Sequence, residues 1–141
     1  MKRKQTKPES GDILRRAIAN YKKLGWTQRA FARGADDRTH DGGTGLQYCA
    51  FSPETKKVCL LGSVYRAVEE LNATPATERK AIDSVAAAIQ SLPEYREQVA
   101  VWDRATKYPE NRNASLVVRA NDLVMKRKKQ AVAVLQEALS C

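Results

Sequence analysis

A chain of 141 residues with 43% hydrophobic and 29% charged residues, five Pro and seven Gly has the composition of one globular domain that needs no metal or disulfide to build its core. No apolar run approaches the ~18–20 residues of a membrane span, and no apolar stretch follows the basic N-terminus as a secretory signal requires. The formal net charge is +9 and it is focused: Lys2, Arg3, Lys4 and Lys7 form one run and Lys126, Arg127, Lys128 and Lys129 another, eight of the 25 Lys and Arg residues, while the remaining 17 nearly match the 16 acidic residues.

The expectation is a cytoplasmic protein with residues 1–9 as a flexible basic tail and residues 10–141 as a single, mostly helical domain. Cys49, Cys59 and Cys141 are an odd count without zinc-ligand spacing, which fits reduced thiols. The sequons at Asn72 and Asn113 carry no meaning in that compartment.

The first predicted helix runs from about Gly11 to Leu24, with Ile13, Leu14, Ala17, Ile18, Tyr21 and Leu24 on one face and Ser10 or Asp12 as its cap. Lys22 and Lys23 suit its negative end and Gly25 the position just beyond. Residues 26–55 break the helical period with Gly34, Gly42, Gly43 and Gly45 among Asp36, Asp37 and Asp41. Either flank, Gln28–Arg33 or Leu46–Phe51, could be a strand, and Ser52–Thr55 reads as a tight turn, so a small β-hairpin or ribbon is expected here.

A second helix should start at Cys59 or Leu60 and end near Leu71, burying Leu61, Val64, Tyr65, Val68 and Leu71. A third follows the Thr74-Pro75 start signal to Ser91, with Ile82, Val85, Ala86, Ile89 and Leu92 inward. Ser91-Leu92-Pro93-Glu94 resembles a capping box opening a fourth helix to about Thr106, which would bury Tyr95, Val99 and Trp102. Residues 107–113 read as a loop. The last helical region, about Ala114 to Ser140, contains Asn121-Asp122; both compete for local backbone hydrogen bonds, so a break is expected there with one of them capping a final helix. The sum is a mainly α domain of about five helices with a small β-hairpin or ribbon between the first two, and no βαβ pattern.

Gly25-Trp26-Thr27-Gln28, Arg29 to Ala35, Cys59-Leu60-Leu61-Gly62-Ser63 and Asn121-Asp122 resemble the landmarks of a family of small proteins of unknown function from actinobacteria and their phages. That pattern has Gly-Trp-Thr-Gln after an early helix, Ala-x-Ala-Arg-x-Ala, Cys-Leu-x-Gly-Ala opening a helix, and Asn-Asp about a dozen residues before an amphipathic end. Ser63 replaces the usual Ala, Ala120 replaces the usual Trp, and Met125-Lys126-Arg127-Lys128 stands where Pro-Gly-Arg-Thr is usual. The likeness covers most of residues 12–72 and 115–140. It implies a helical fold and a phage or actinobacterial origin, with the host cytoplasm as location if phage-encoded; it implies no activity.

The two basic runs point to nucleic-acid backbone, because each phosphate neutralised by Lys or Arg releases condensed counterions. Their bland alternative is a solvated tail and a charged helix face. No helix-turn-helix, zinc-finger, RNP or KH signature suggests base reading. Cys59 at a helix N-terminus, with His40 as base and Asp122 or Asn121 as orienter, is the one nucleophile constellation, set against a plain buried cysteine. Asp36, Asp37, His40 and Asp41 match no metal-site spacing, so a polar turn is expected and no metal or cofactor. Trp26 is either a protein-binding anchor or core. The expected function is a small, basic, non-enzymatic accessory protein that binds nucleic acid. The alternatives are a modulator of a host protein acting through an apolar and basic surface around Trp26, and a hydrolase or transferase using Cys59.

Overall fold

The computed structural model describes residues 7–29, 31–34, 55–105 and 112–140. Helix α1, Ser10–Asn20, forms where Ile13, Leu14 and Ala17 share a face and become buried. Its start is fixed at Glu9, one residue before Ser10 and three before Asp12, the predicted caps: the Glu9 amide donates to Asp12 Oδ2 at 2.8 Å. This bond and the Arg15 side chain hold the Asp12 carboxyl below the usual range. The helix also stops earlier than predicted. Residues Tyr21–Leu24 form a tight turn whose Tyr21 and Leu24 remain buried, so the apolar period outlasts the helix.

Three two-residue strands follow: β1 Gly25–Trp26, β2 Ala32–Arg33 and β3 Lys57–Val58. β3 lies in the middle, parallel to β1 with Gly25 opposite Lys57, and antiparallel to β2 with Ala32 opposite Val58. Sequence reading finds β2 within Gln28–Arg33 but misses β1 and β3, because two residues give no alternation to detect. The predicted strand Leu46–Phe51 and most of the turn Ser52–Thr55 lie outside the described residues, as does the Asp36–Asp41 stretch.

Helix α2, Leu60–Leu71, starts as expected with Cys59 as its N-cap, the thiol sulfur accepting from the Gly62 amide at 3.2 Å. It ends on Asn72 in the left-handed region, φ 51°. Its first turn is the deepest part: Leu60, Leu61, Gly62, Ser63 and Val64 are all buried, while Tyr65, Val68 and Leu71 are half-buried. Helix α3, Pro75–Ser91, is capped by Thr74, whose Oγ1 accepts from the Thr77 amide. It packs on all five other α-helices, and Ala81, Ala86 and Ala88 keep those approaches close.

Helix α4, Pro93–Ala105, buries Tyr95, Val99 and Trp102 as predicted. Ser91 is not its cap; the hydroxyl donates back to Ala88 O of α3 at 2.8 Å. Helix α5, Arg112–Arg119, runs into a π-turn, Ala120–Val124, closed by the Met125 amide on Ala120 O at 3.0 Å. Helix α6, Lys128–Ser140, completes the domain with Ala131, Val134, Leu135 and Ala138 inward. The break predicted at Asn121-Asp122 is present. Neither residue caps α6, though; Gln130 Oε1 accepts the Lys126 and Arg127 amides at its start.

Gly62 is the position where packing tolerates no side chain. A Cβ there would lie 2.2 Å from Phe31 O, a backbone atom already held by the Cys59 amide at 3.0 Å. Gly62→Ala should destabilise the fold by about 2–3 kcal/mol, as overpacking does. Urea unfolding reads this directly, and a wild-type midpoint would contradict the packing described.

Candidate functional site

The Gly25–Gln28, Cys59–Ser63 and Asn121–Asp122 segments, far apart in sequence, meet at one junction. Asn121 is fully buried in the π-turn and its amide is completely satisfied. Its Oδ1 accepts from Trp26 Nε1 at 2.5 Å and from the Leu60 amide at 3.0 Å. Its Nδ2 donates to Thr27 O and to Asp122 Oδ1, each at 3.0 Å. One side chain thus ties β1, the N-terminus of α2 and the π-turn together. The Leu60 amide is an orphan donor of the first helical turn, so Asn121 caps α2 from across the fold.

Gln28 closes the other side. A π-turn leaves carbonyls without their usual partners. Gln28 Nε2 donates to the carbonyls of Asn121, Asp122 and Met125 at 3.1, 3.2 and 2.8 Å. Asp122 Oδ1 also accepts the amide of Arg29, which sits at φ 63°, a costly conformation for a non-glycine residue. Arg33 Nε reaches Thr27 Oγ1 at 2.8 Å. The side-chain amide of Asn121 and the Gln28 Nε2 group are spent on the protein's own backbone and side chains, which gives the junction a structural character.

Cys59 belongs to this junction and is 3% exposed. Burial, aided by the nearby Asp122 charge, pushes its thiol up to about 12, the direction opposite to a nucleophile. Asp122 lies close but is bonded to Asn121 and Arg29, and His40 lies outside the described residues. Trp26 is half-buried against the core with its indole N–H held by Asn121. Among the described residues no cluster of His, Cys, Asp and Glu could hold a metal ion.

The second basic run lies beside the turn after α1. Lys128 Nζ donates to Tyr21 O at 2.8 Å and Leu24 O at 3.3 Å, so it serves as the C-terminal cap of α1. This tie brings the segment that carries Lys126, Arg127 and Lys129 to the turn that carries Lys22 and Lys23. Lys56 joins them because its carbonyl accepts the Gly25 amide at 2.8 Å. Among the described residues, Lys22, Lys23, Lys56, Lys126, Arg127 and Lys129 are all exposed and none makes an ion pair.

Of the first basic run only Lys7 is among the described residues. Lys7 precedes the start of α1, about 16 Å of helix away from Lys22 and Lys23. Lys2, Arg3 and Lys4 are outside the described residues. Sequence reading singled out Lys126–Lys129 but not Lys22, Lys23 or Lys56 as part of the same surface. The first two looked like ordinary C-terminal helix charges, and only the fold shows the adjacency.

The geometry therefore defines a helical domain with a structural polar junction and a basic end. The chain belongs to a family of unknown function, DUF6197, whose pattern matches residues 5–140. Comparison with curated proteins and with solved structures finds no match.

Two outcomes follow from the junction. Asn121→Ala strands the Leu60 and Trp26 donors and the Thr27 carbonyl; at about 1–3 kcal/mol for each buried group left without a partner, the loss should reach about 3–4 kcal/mol in urea unfolding. A loss under about 1 kcal/mol would contradict the role assigned to it. For Cys59, the folded thiol ionises at about 12 and the free one at 9.0, so the unfolded chain loses its proton first. Its contribution to stability is complete below pH 9.0 and falls away as the pH rises toward about 12. Native-state alkylation of Cys59 should accordingly be negligible at pH 8, and rapid labelling there would contradict this assignment.

Proposed function

We propose that this protein is a small, basic, non-enzymatic accessory protein, of phage or mobile-element type, that binds nucleic-acid backbone through the patch formed by Lys22, Lys23, Lys56, Lys126, Arg127 and Lys129. The supporting observation is that three separate segments of the chain contribute six exposed cations that have no acidic partner among the described residues. Unpaired Lys and Arg side chains are the groups that exchange condensed counterions for phosphates, and flexible Lys ammonium groups give little base selectivity. Lys7 supplies a second point of attraction at the far end of α1.

A second reading has one observation in its favour. Leu123, on the π-turn just before the basic run, is 58% exposed. An apolar side chain beside a positive patch suits an acidic protein surface with an apolar pocket. Salt separates the two readings, because apolar docking weakens little as ions are added.

The test is binding to labelled duplex DNA, single-stranded DNA and RNA at about 50 and 200 mM salt, where the duplex log–log slope is near −0.9 per contacted phosphate. A variant carrying Lys22→Gln, Lys23→Gln, Lys126→Gln and Arg127→Gln should reduce the steepness of that slope by about 3.6 on duplex DNA. Lys128 is left intact because its charge holds α1. No binding at low salt, or an unchanged slope in the variant, overturns the proposal.

A further inference from the structure

A groove of about 540 Å³ opens between α1, α2 and the segment leading into β3, on the flank of the basic patch. Among the described residues, Arg16, Lys23, Lys56 and Arg66 line it against a single carboxylate, Glu70. Glu70 Oε1 accepts from Asn20 Nδ2 at 2.6 Å and from Arg16 Nε at 3.3 Å, and its Oε2 lies 3.8 Å from Arg66 Nε. One carboxylate is thus held by donors from two helices. The described lining residues carry four cations and one carboxylate, and Lys23 and Lys56 have no acidic partner among the described residues.

We propose that this groove is a binding site for a phosphate group, and that Glu70 occupies the anion's place when no phosphate is bound. A phosphate offers more acceptor oxygens and more charge than a carboxylate. It can engage Arg16 and Arg66 as Glu70 does and also the ammonium groups of Lys23 and Lys56, which line the same groove. Lys23 and Lys56 belong also to the basic patch, so the inference rests on the nucleic-acid reading only where the phosphate comes from a polymer. Arg16, Arg66 and Glu70 lie outside that patch. A free phosphorylated small molecule is the other source of the same chemistry, and the groove lies within the size range of small-ligand sites.

The experiment titrates inorganic pyrophosphate into the full chain by calorimetry. Glu70→Gln removes the competing charge but keeps an acceptor for Asn20, and should bind pyrophosphate about tenfold more tightly than wild type. Adding Arg16→Gln, or Lys56→Gln at an exposed position, should reverse that gain. A triple variant with Lys126→Gln, Arg127→Gln and Lys129→Gln should bind pyrophosphate as wild type does while losing affinity for a labelled oligonucleotide, so failure of the groove and failure of the patch are seen separately. Displacement of pyrophosphate by an unlabelled oligonucleotide identifies a polymer phosphate as the ligand, and retention identifies a free one. The inference is overturned if Glu70→Gln shows no saturation below about 10 mM pyrophosphate, or if its affinity equals that of wild type.

Discussion

The buried amide of Asn121 is the constraint on which the rest of the structure depends. Three things that a helical domain of this size cannot leave unresolved meet there: the orphan donors of α2, the edge of a sheet only two residues deep, and a turn whose carbonyls have lost their helical partners. A two-residue strand has little stability of its own. β1 persists because Trp26 and Thr27 are bonded to Asn121 on one side while Gly25 and Thr27 pair with β3 on the other. Gln28 and Asp122 add the bonds that hold the chain's exit from β1, including Arg29 at positive φ. A network in which each member is satisfied specifies one arrangement, whereas a partly satisfied one would cost more than an apolar core.

The same closure creates the basic end. With the π-turn fixed, the chain leaves Met125 extended and delivers Lys126–Lys129 to the turn after α1. Lys128 is then drawn onto the carbonyls of Tyr21 and Leu24, where it neutralises the negative end of α1. Its three neighbours remain exposed and have no acidic partner among the described residues. Like charges gathered in this way repel one another, and nothing in the packing requires them. A run of four cations therefore divides into one structural residue and three that are available to an anion.

Much of the fold is legible in the sequence because its signals are periodic. The stripes of α2, α3, α4 and α6 and the Thr74-Pro75 start follow from 3.6-residue spacing and helix-start chemistry. Misreadings occur where another local bond or a long-range one takes the place of the expected one. Ser10 and Asp12 are plausible caps, but Glu9 takes the position; Gly25 looks like a helix stop, but Lys128 supplies the stop and frees Gly25 for β1. Asn121-Asp122 is legible as a break, yet its partners are more than sixty positions away or hidden in strands too short to show a period. Cys59 reads correctly as a helix start, whereas its depth is set by Phe31 and Gly62 packing that no local pattern reports. Charge runs are visible at once; the contribution of Lys22, Lys23 and Lys56 to the same surface is a property of the fold alone.

The central claim, that the basic end is where this protein meets its ligand, is tested most directly by mapping backbone amide shifts on addition of a short oligonucleotide at low salt. The account predicts perturbations concentrated at residues 22–25, 56–57 and 126–130, diminishing together as salt is raised. Shifts confined to the α4 face, or absent altogether at saturating oligonucleotide, would contradict it.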